Sequence, residues 1–402
     1  LVKIIGKVKN IKIHLGKGMS EEFLKFCTPE INQEIIDEVT ACLKSGWLAT
    51  GPRVQRFEED LKKYLGTPHV LALTSGTAAL HLALKCFGLK VGDEVITTPM
   101  TFIASLNTIV HAGAKPVLVD VDLKTRNIDV TKIEAAITPH TKAIVPVHFA
   151  GIPVDLDPLY EIAQKYNLRV LEDSAHAIGS RYKGKVIGSF GDTQAFSFHP
   201  NKVMTTGEGG CISTRDDILA QNVKVQRFHG IDRESFDRYG KKGNQDYDVI
   251  QPGYKYNMLD LEAAIGIHQL AQLESFIAKR QLLVDRYNEK LANWPELTLP
   301  ELPNFDCRVS WYIYAPLINP DVANMNRDTF IEQMKERDIG TGYHHHAAHL
   351  YTYYQKTYGY KRGQFPNAET ISDRIVSLPL STTMTIADQD RVIASMKKIF
   401  NR

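Results

Sequence analysis

A chain of 402 residues is longer than one hydrophobic core ordinarily serves, so length alone predicts two domains sharing an interface. With 43% hydrophobic residues, 23% charged residues and a formal net charge of +2, the composition excludes a fibre and argues against broad binding of nucleic acid or a membrane surface. A small anionic substrate is compatible with it.

Residues 1–18 carry five lysines and no acid before Met19, and they are set apart as an upstream extension or tag, with an added edge strand or basic arm as the alternative. From about Gln33 to Leu65 the apolar spacing is helical, broken by the turn-rich G-W-L-A-T-G-P, and another helix follows Gly76 in T-A-A-L-H-L-A-L-K-C-F. Short β-branched runs then alternate with helical ones: E-V-I-T-T-P, P-V-L-V-D-V-D, A-I-V-P-V-H, L-R-V-L-E-D and T-Q-A-F-S-F. That rhythm predicts an α/β large domain, a mostly parallel sheet flanked by helices, which places ligands at the carboxyl ends of its strands.

From His229 to Gln245 the chain is polar and irregular, as in a surface loop. One long helical register starts near Asp260 and continues through R-Q-L-L-V-D-R-Y-N-E-K-L, long enough to bridge two domains. Beyond W-P-E-L-T-L-P-E-L-P, the strand-like W-Y-I-Y-A-P-L and the helical D-T-F-I-E-Q-M-K-E-R predict a smaller α+β C-terminal domain. The expected division is residues 19–275 and 276–402. The five cysteines (Cys27, Cys42, Cys86, Cys211 and Cys307) never fall in C-x-x-C spacing, so a reducing, cytoplasmic setting without a disulfide framework fits. No apolar run approaches the roughly 20 residues of a spanning helix, and no membrane or nucleic-acid partner is expected.

The chemistry-bearing residues gather at predicted strand ends. Asp173 and His176 follow one strand, and Ser197, His199 and Lys202 follow another. An acid and a lysine converging at one rim suit pyridoxal phosphate: the amine condenses with its aldehyde, and a carboxylate keeps its pyridine nitrogen protonated. S-G-T at residues 75–77 opens a helix whose first N–H groups can hold a phosphate. Ser197 offers a further hydroxyl, and Phe102 is placed to stack on a flat ring. Singly, Lys202 is an ordinary solvated loop lysine, S-G-T a helix cap, and Phe102 a packing residue; their order along the chain changes the reading. The histidines at 344, 345, 346 and 349 lack carboxylate or cysteine partners at helical spacing, so no metal site is expected.

Many ordered segments carry a resemblance: S-G-W-L-A-T-G-P, S-G-T-A-A-L, L-E-D-S-A-H-A-I-G, F-S-F-H-P-N-K-V-M-T-T-G-E-G-G and G-Y-K-Y-N-M-L-D-L-E-A-A-I-G. They resemble the DegT/DnrJ/EryC1/StrS sugar-nucleotide aminotransferases of pyridoxal phosphate fold type I, the aspartate-aminotransferase-like fold, from about Phe23 to the end. The resemblance implies that Lys202 takes the Schiff-base position and Asp173 pairs with the pyridine nitrogen. His176 would lie against the ring, Phe102 would stack on it, and Gly76, Thr77 and Ser197 would hold the phosphate. Asn257 would reach the phosphate from a neighbouring subunit, which implies a homodimer with shared sites.

Members with histidine in place of the lysine are dehydratases, so Lys202 implies a transaminase that moves an amino group from L-glutamate, leaving 2-oxoglutarate, to a nucleotide-linked keto-sugar. The nearest branch acts on UDP-linked 4-keto-pyranoses, in particular to make UDP-4-amino-4-deoxy-L-arabinose for lipopolysaccharide, and His344 takes the place of its active-site histidine. This chain departs from that branch in its S-G-T turn, at Phe102 and in the P-N after His199. A 4-keto-pentose and a 4-keto-6-deoxyhexose both stand as expected substrates; a 3-keto-sugar, elimination on the same scaffold or a non-catalytic regulatory role are the alternatives.

Overall fold

Seven short strands, most of them buried at nearly every position, assemble one sheet: β1 (His69–Leu73), β2 (Glu94–Thr97), β3 (Lys115–Leu118), β4 (Thr141–Ile144), β5 (Arg169–Asp173), β8 (Thr193–Ser197) and β9 (Gly210–Thr214). Their order is β1-β9-β8-β5-β4-β2-β3, and a small three-stranded sheet of β6 (Arg181–Tyr182), β7 (Lys185–Val186) and the strand Cys307–Arg308 lies outside it. This computed structural model describes residues 22–232 and 246–402, so the expected extension over residues 1–18 and most of the polar stretch ending at Gln245 lie outside the described residues.

From β8 to β3 every pairing is parallel, as the alternation of strands and helices predicts. Strands buried on both faces need no polar alternation, and β2 and β9 are buried throughout. The sequence reading did not distinguish β1 and β9. β9 runs antiparallel between β1 and β8, with Gly210 opposite both Leu73 and Ser197. A side chain at Gly210 would put its Cβ 2.5 Å from the Phe196 carbonyl oxygen and 2.6 Å from the Gly76 nitrogen. Glycine therefore lets three chain segments meet at the sheet rim.

Helices follow from the apolar spacing. α1 (Gln33–Ser45) is capped by the Asn32 side chain, which accepts from the Ile35 N–H at 3.1 Å. α2 (Pro52–Leu65) buries Val54, Phe57, Leu61 and Leu65, one stripe at steps of three and four. α3 (Gly76–Cys86) and α4 (Ala104–His111) lead from the ends of β1 and β2, and α5 (Leu156–Lys165) and α6 (Asp217–Gln226) complete this part of the fold.

The single long helical register expected from Asp260 is broken at Gln272, where ψ is −2°, into α7 (Asp260–Ala271) and α8 (Leu273–Leu291). α7 packs closely on α2: a Cβ at Gly266 would lie 2.7 Å from the Phe57 ring. α8 then crosses between two apolar cores. Leu273, Phe276 and Ile277 belong to the core beside the sheet, whereas Leu283, Val284, Tyr287 and Leu291 belong to a second core with Phe330, Met334, Val392 and Met396.

The strand expected over W-Y-I-Y-A-P-L is largely absent; only Leu317–Ile318 is a regular strand, with Tyr314 in an isolated bridge. Trp311 has φ +54°, which ends any extended run. The carbonyls of Trp311 and Tyr312 accept from the Arg280 guanidinium of α8 instead of from a neighbouring strand. Among the described residues no helix is long and apolar enough to cross a membrane.

Candidate active site

Alternate residues of a strand point to opposite faces, and β5 uses both. Glu172 points to one side, where its carboxylate accepts from Tyr160 Oη at 2.7 Å and Gln194 Nε2 at 2.8 Å. His148 Nδ1 accepts from the Val154 N–H at 3.1 Å, so its Nε2 carries the proton and donates to Glu172 at 2.9 Å. Asp173, next along, turns into a cavity of about 380 Å³ at the carboxyl ends of the strands.

The Asp173 carboxylate is buried, and it accepts from Ser105 Oγ at 2.6 Å and from the Ala175 N–H at 3.2 Å. Burial pushes its proton affinity up, against the pull of those two donors and of the Lys202 charge. Ser105 sits in the first turn of α4 and meets Thr101 Oγ1 at 2.8 Å, so α4 holds this hydroxyl against the acid.

Lys202 lies in the turn between β8 and β9, half-buried, with its N–H donating to the His199 carbonyl at 2.9 Å. Loss of water around the amine lowers its proton affinity to about 7, with Asp173 opposing the shift. Its Nζ stands 4.1 Å from the centre of the Tyr312 ring.

The small end of the cavity is built where α3 begins. Ser75 caps α3 by accepting from the Ala78 N–H at 3.0 Å, which leaves the Gly76 and Thr77 N–H groups of the first turn for an anion. Gly76 passes so close to β8 that a Cβ would lie 2.7 Å from Ser197 Cβ. Gly76, Thr77 and Ser197 thus share one corner of the cavity.

The opposite wall is closed by Tyr312, Tyr343, His344 and His345 from the second half of the chain. His176 is buried against Tyr312, with ring centroids 4.2 Å apart, and its Nδ1 has no hydrogen-bond partner. His345 Nε2, also buried, is likewise unpartnered. Dehydration keeps both imidazoles neutral, their proton affinities well below the usual value. His344 Nδ1 lies 2.8 Å from Ser377 Oγ, and burial lowers this ring to about 4. Phe102 is 58% exposed at the cavity mouth, 5.8 Å from the His345 ring.

The cavity therefore brings together Gly76, Thr77, Phe102, Asp173, His176, Ser197, Lys202 and His344. Asn257 is not among its lining residues: it is buried beside β1, donating to Thr50 Oγ1 at 2.6 Å and accepting from Lys255 Nζ. Ser105, Tyr312, Tyr343 and His345 were not singled out as site residues in sequence. Only His345 had a visible signal, the histidine run. The run disperses: His349 pairs with Glu369 at 3.0 Å and His346 packs on Tyr351.

Comparison with known proteins agrees along nearly the whole chain. The sequence pattern of the DegT/DnrJ/EryC1/StrS aminotransferase family matches residues 29–397. The chain is 45% identical to the spore coat polysaccharide biosynthesis protein SpsC of Bacillus subtilis, covering 94% of this chain and 97% of that protein. It is 40% identical to the UDP-4-amino-4-deoxy-L-arabinose–oxoglutarate aminotransferase of Shewanella sediminis, covering 95% and 99%. A putative sugar aminotransferase of Streptococcus pneumoniae superposes with a TM-score of 0.86 at 31% identity, covering 94% and 99%, and has been solved in its PMP and PLP forms.

Proposed function

The chain belongs to the DegT/DnrJ/EryC1/StrS aminotransferase family and is a pyridoxal phosphate-dependent transaminase, and from that premise we propose that it carries an amino group from L-glutamate to the 4-keto group of a nucleotide-linked sugar. The observation that carries this reading is the meeting of Lys202 and Asp173 in one cavity at the ends of parallel strands. The relatives support the substrate class. One is an aminotransferase of a UDP-linked 4-amino-pentose with oxoglutarate as its partner, and another serves a spore coat polysaccharide.

The residues present fit the cofactor. Asp173 is a buried acceptor, the α3 terminus and Ser197 make an anion corner, and His176 Nδ1 is a buried polar atom in want of a partner. When bound, pyridoxal phosphate supplies an aldehyde that condenses with amines and a ring that takes up electrons from a broken Cα–H bond.

In this reading Asp173 keeps the ring nitrogen protonated, and Gly76, Thr77 and Ser197 hold the phosphate. Phe102 and His176 orient the ring, and His344 faces the sugar. Lys202 would be the residue that anchors the cofactor covalently, and its amine would take up and return the proton of the substrate carbon. An amine poised at about 7 both takes and returns a proton near neutral pH. Asn257 serves the pocket of a second copy in a homodimer, a placement supported by its absence from its own pocket and by the exposed Leu48 and Leu259 nearby.

The test is a panel of UDP-, dTDP- and GDP-linked 4-keto and 3-keto sugars with glutamate, scored by mass. Amination of a 4-keto sugar is expected, falling about a hundred- to ten-thousand-fold in Lys202→Arg. Glutamate-independent loss of water would instead establish elimination. Co-refolding Lys202→Ala with Asn257→Ala checks the shared site, because mixed dimers regain one intact pocket.

A further inference from the structure

One buried side chain, Tyr312, meets Lys202, His176, Asn201 and His344 at once. The His176 ring lies 28° off parallel to it. Asn201 Nδ2 donates to the phenol oxygen at 2.9 Å, and His344 Nε2 is 3.3 Å from the same oxygen.

These hydrogen bonds run in one direction. The Asn201 amide nitrogen can only donate, so the phenol proton is left for His344 Nε2. Burial keeps the phenol protonated and the imidazole neutral, and the His344 Nδ1–H then faces Ser377 Oγ at 2.8 Å. Tyr312 is fixed from behind as well: its N–H donates to the Ala150 carbonyl at 3.1 Å, and its own carbonyl accepts from Arg280 at 3.2 Å.

The face of an aromatic ring is electron-rich and attracts an ammonium at the distance seen for Lys202. Asp173, the nearby acid, is already engaged by Ser105 and Ala175. We propose that Tyr312 is the positioning residue of the proton shuttle, its ring face seating the Lys202 amine and steadying the ammonium formed each time that amine takes a proton, while its hydroxyl fixes His344 alongside. The ring forms and breaks no bond. It changes only how readily the neutral amine becomes charged. This inference rests on the reading of Lys202 given above and adds a residue to it.

In cofactor-free protein, the rate at which acetic anhydride modifies Lys202, followed by peptide mass spectrometry across pH, reports the proton equilibrium of this amine. Tyr312→Leu keeps the site apolar and deletes the ring, so the midpoint falls by about one pH unit, a tenfold change. Tyr312→Phe keeps the ring and leaves the midpoint in place. If the leucine variant does not fold, trifluorophenylalanine incorporated at position 312 preserves the shape, draws charge off the ring face and must lower the midpoint likewise. An unmoved midpoint in a ring-altered protein, or an equal fall in Tyr312→Phe, overturns the proposal. Turnover separates the two readings. Activity retained in Lys202→Arg defeats the shuttle itself, whereas an essential Lys202 with a midpoint indifferent to the ring defeats only the role of Tyr312.

Discussion

Ser105→Ala removes one hydroxyl from beside a buried acid, and its effect can be worked out from the site. Ser105 Oγ lies 2.6 Å from Asp173 Oδ2, and the other described donor to this carboxylate, the Ala175 N–H, is longer at 3.2 Å. A hydrogen bond to a charged group is worth about 1.5–3 kcal/mol, which corresponds to about one to two pH units in the titration of Asp173. Burial already raises that carboxyl above its usual value, so losing the hydroxyl raises it further. A carboxyl with a higher pKa loses its charge sooner as pH falls, and the charged form is the one that can pair with a protonated ring nitrogen. The acid limb of the half-reaction with the proposed donor, glutamate, is therefore expected to move up by about one to two pH units, with the rate at alkaline pH preserved. The assay follows cofactor absorbance after rapid mixing with glutamate in a pH series, for the native protein, Ser105→Ala and the hydroxyl-retaining Ser105→Thr. Coincident acid limbs in the native protein and Ser105→Ala refute the reasoning.

Gly210→Ala forces a Cβ to 2.5 Å from the Phe196 carbonyl oxygen, a backbone atom that cannot swing aside, and is expected to cost about 3 kcal/mol in urea unfolding. Gly207→Ala meets open space at φ +87° and should cost only about 1 kcal/mol; equal losses would show that crowding at the rim is not the cause. Arg280→Met leaves the carbonyls of Trp311, Tyr312 and Leu380 without their donor, an expected loss of about 3 kcal/mol with partial recovery in Arg280→Lys, again by urea unfolding. Because the Lys202 amine is lowered from 10.5 to about 7 on folding, the unfolded chain binds more protons between those values. Stability of cofactor-free protein should accordingly rise with pH across that window, and Lys202→Met should flatten the rise; a slope unchanged by that substitution contradicts the assignment.

The rim residues were legible because a parallel sheet obeys a positional rule: whatever follows an apolar strand arrives at one edge. Asp173 and Ser197 end such strands and Lys202 follows one, and the cavity gathers them. β9 was hard to see because its sequence, G-C-I-S-T, directly follows a glycine-rich turn and its antiparallel direction leaves no mark on composition. Ser105 gave no sign, since one serine in a helical first turn ordinarily caps or packs. Tyr312 was disguised by its neighbours: W-Y-I-Y has the residues of a strand, but the left-handed Trp311 and a guanidinium from a helix 31 positions away set its conformation. Interactions that distant leave no local periodicity to detect.

The cavity has two walls of separate origin. Gly76, Thr77, Asp173 and Ser197 sit on the sheet rim, whereas Tyr312, Tyr343, His344 and His345 come from segments that lead into the second core. A substitution at position 343 or 345 can reshape the mouth without moving a sheet strand, and a change at the rim would disturb every ligand alike. A chimera that exchanged only the later segments between relatives would keep the rim acid and anion corner of one parent and take the facing wall, Tyr312 included, from the other. The mouth could change in such an architecture while the sheet rim beneath it stayed constant.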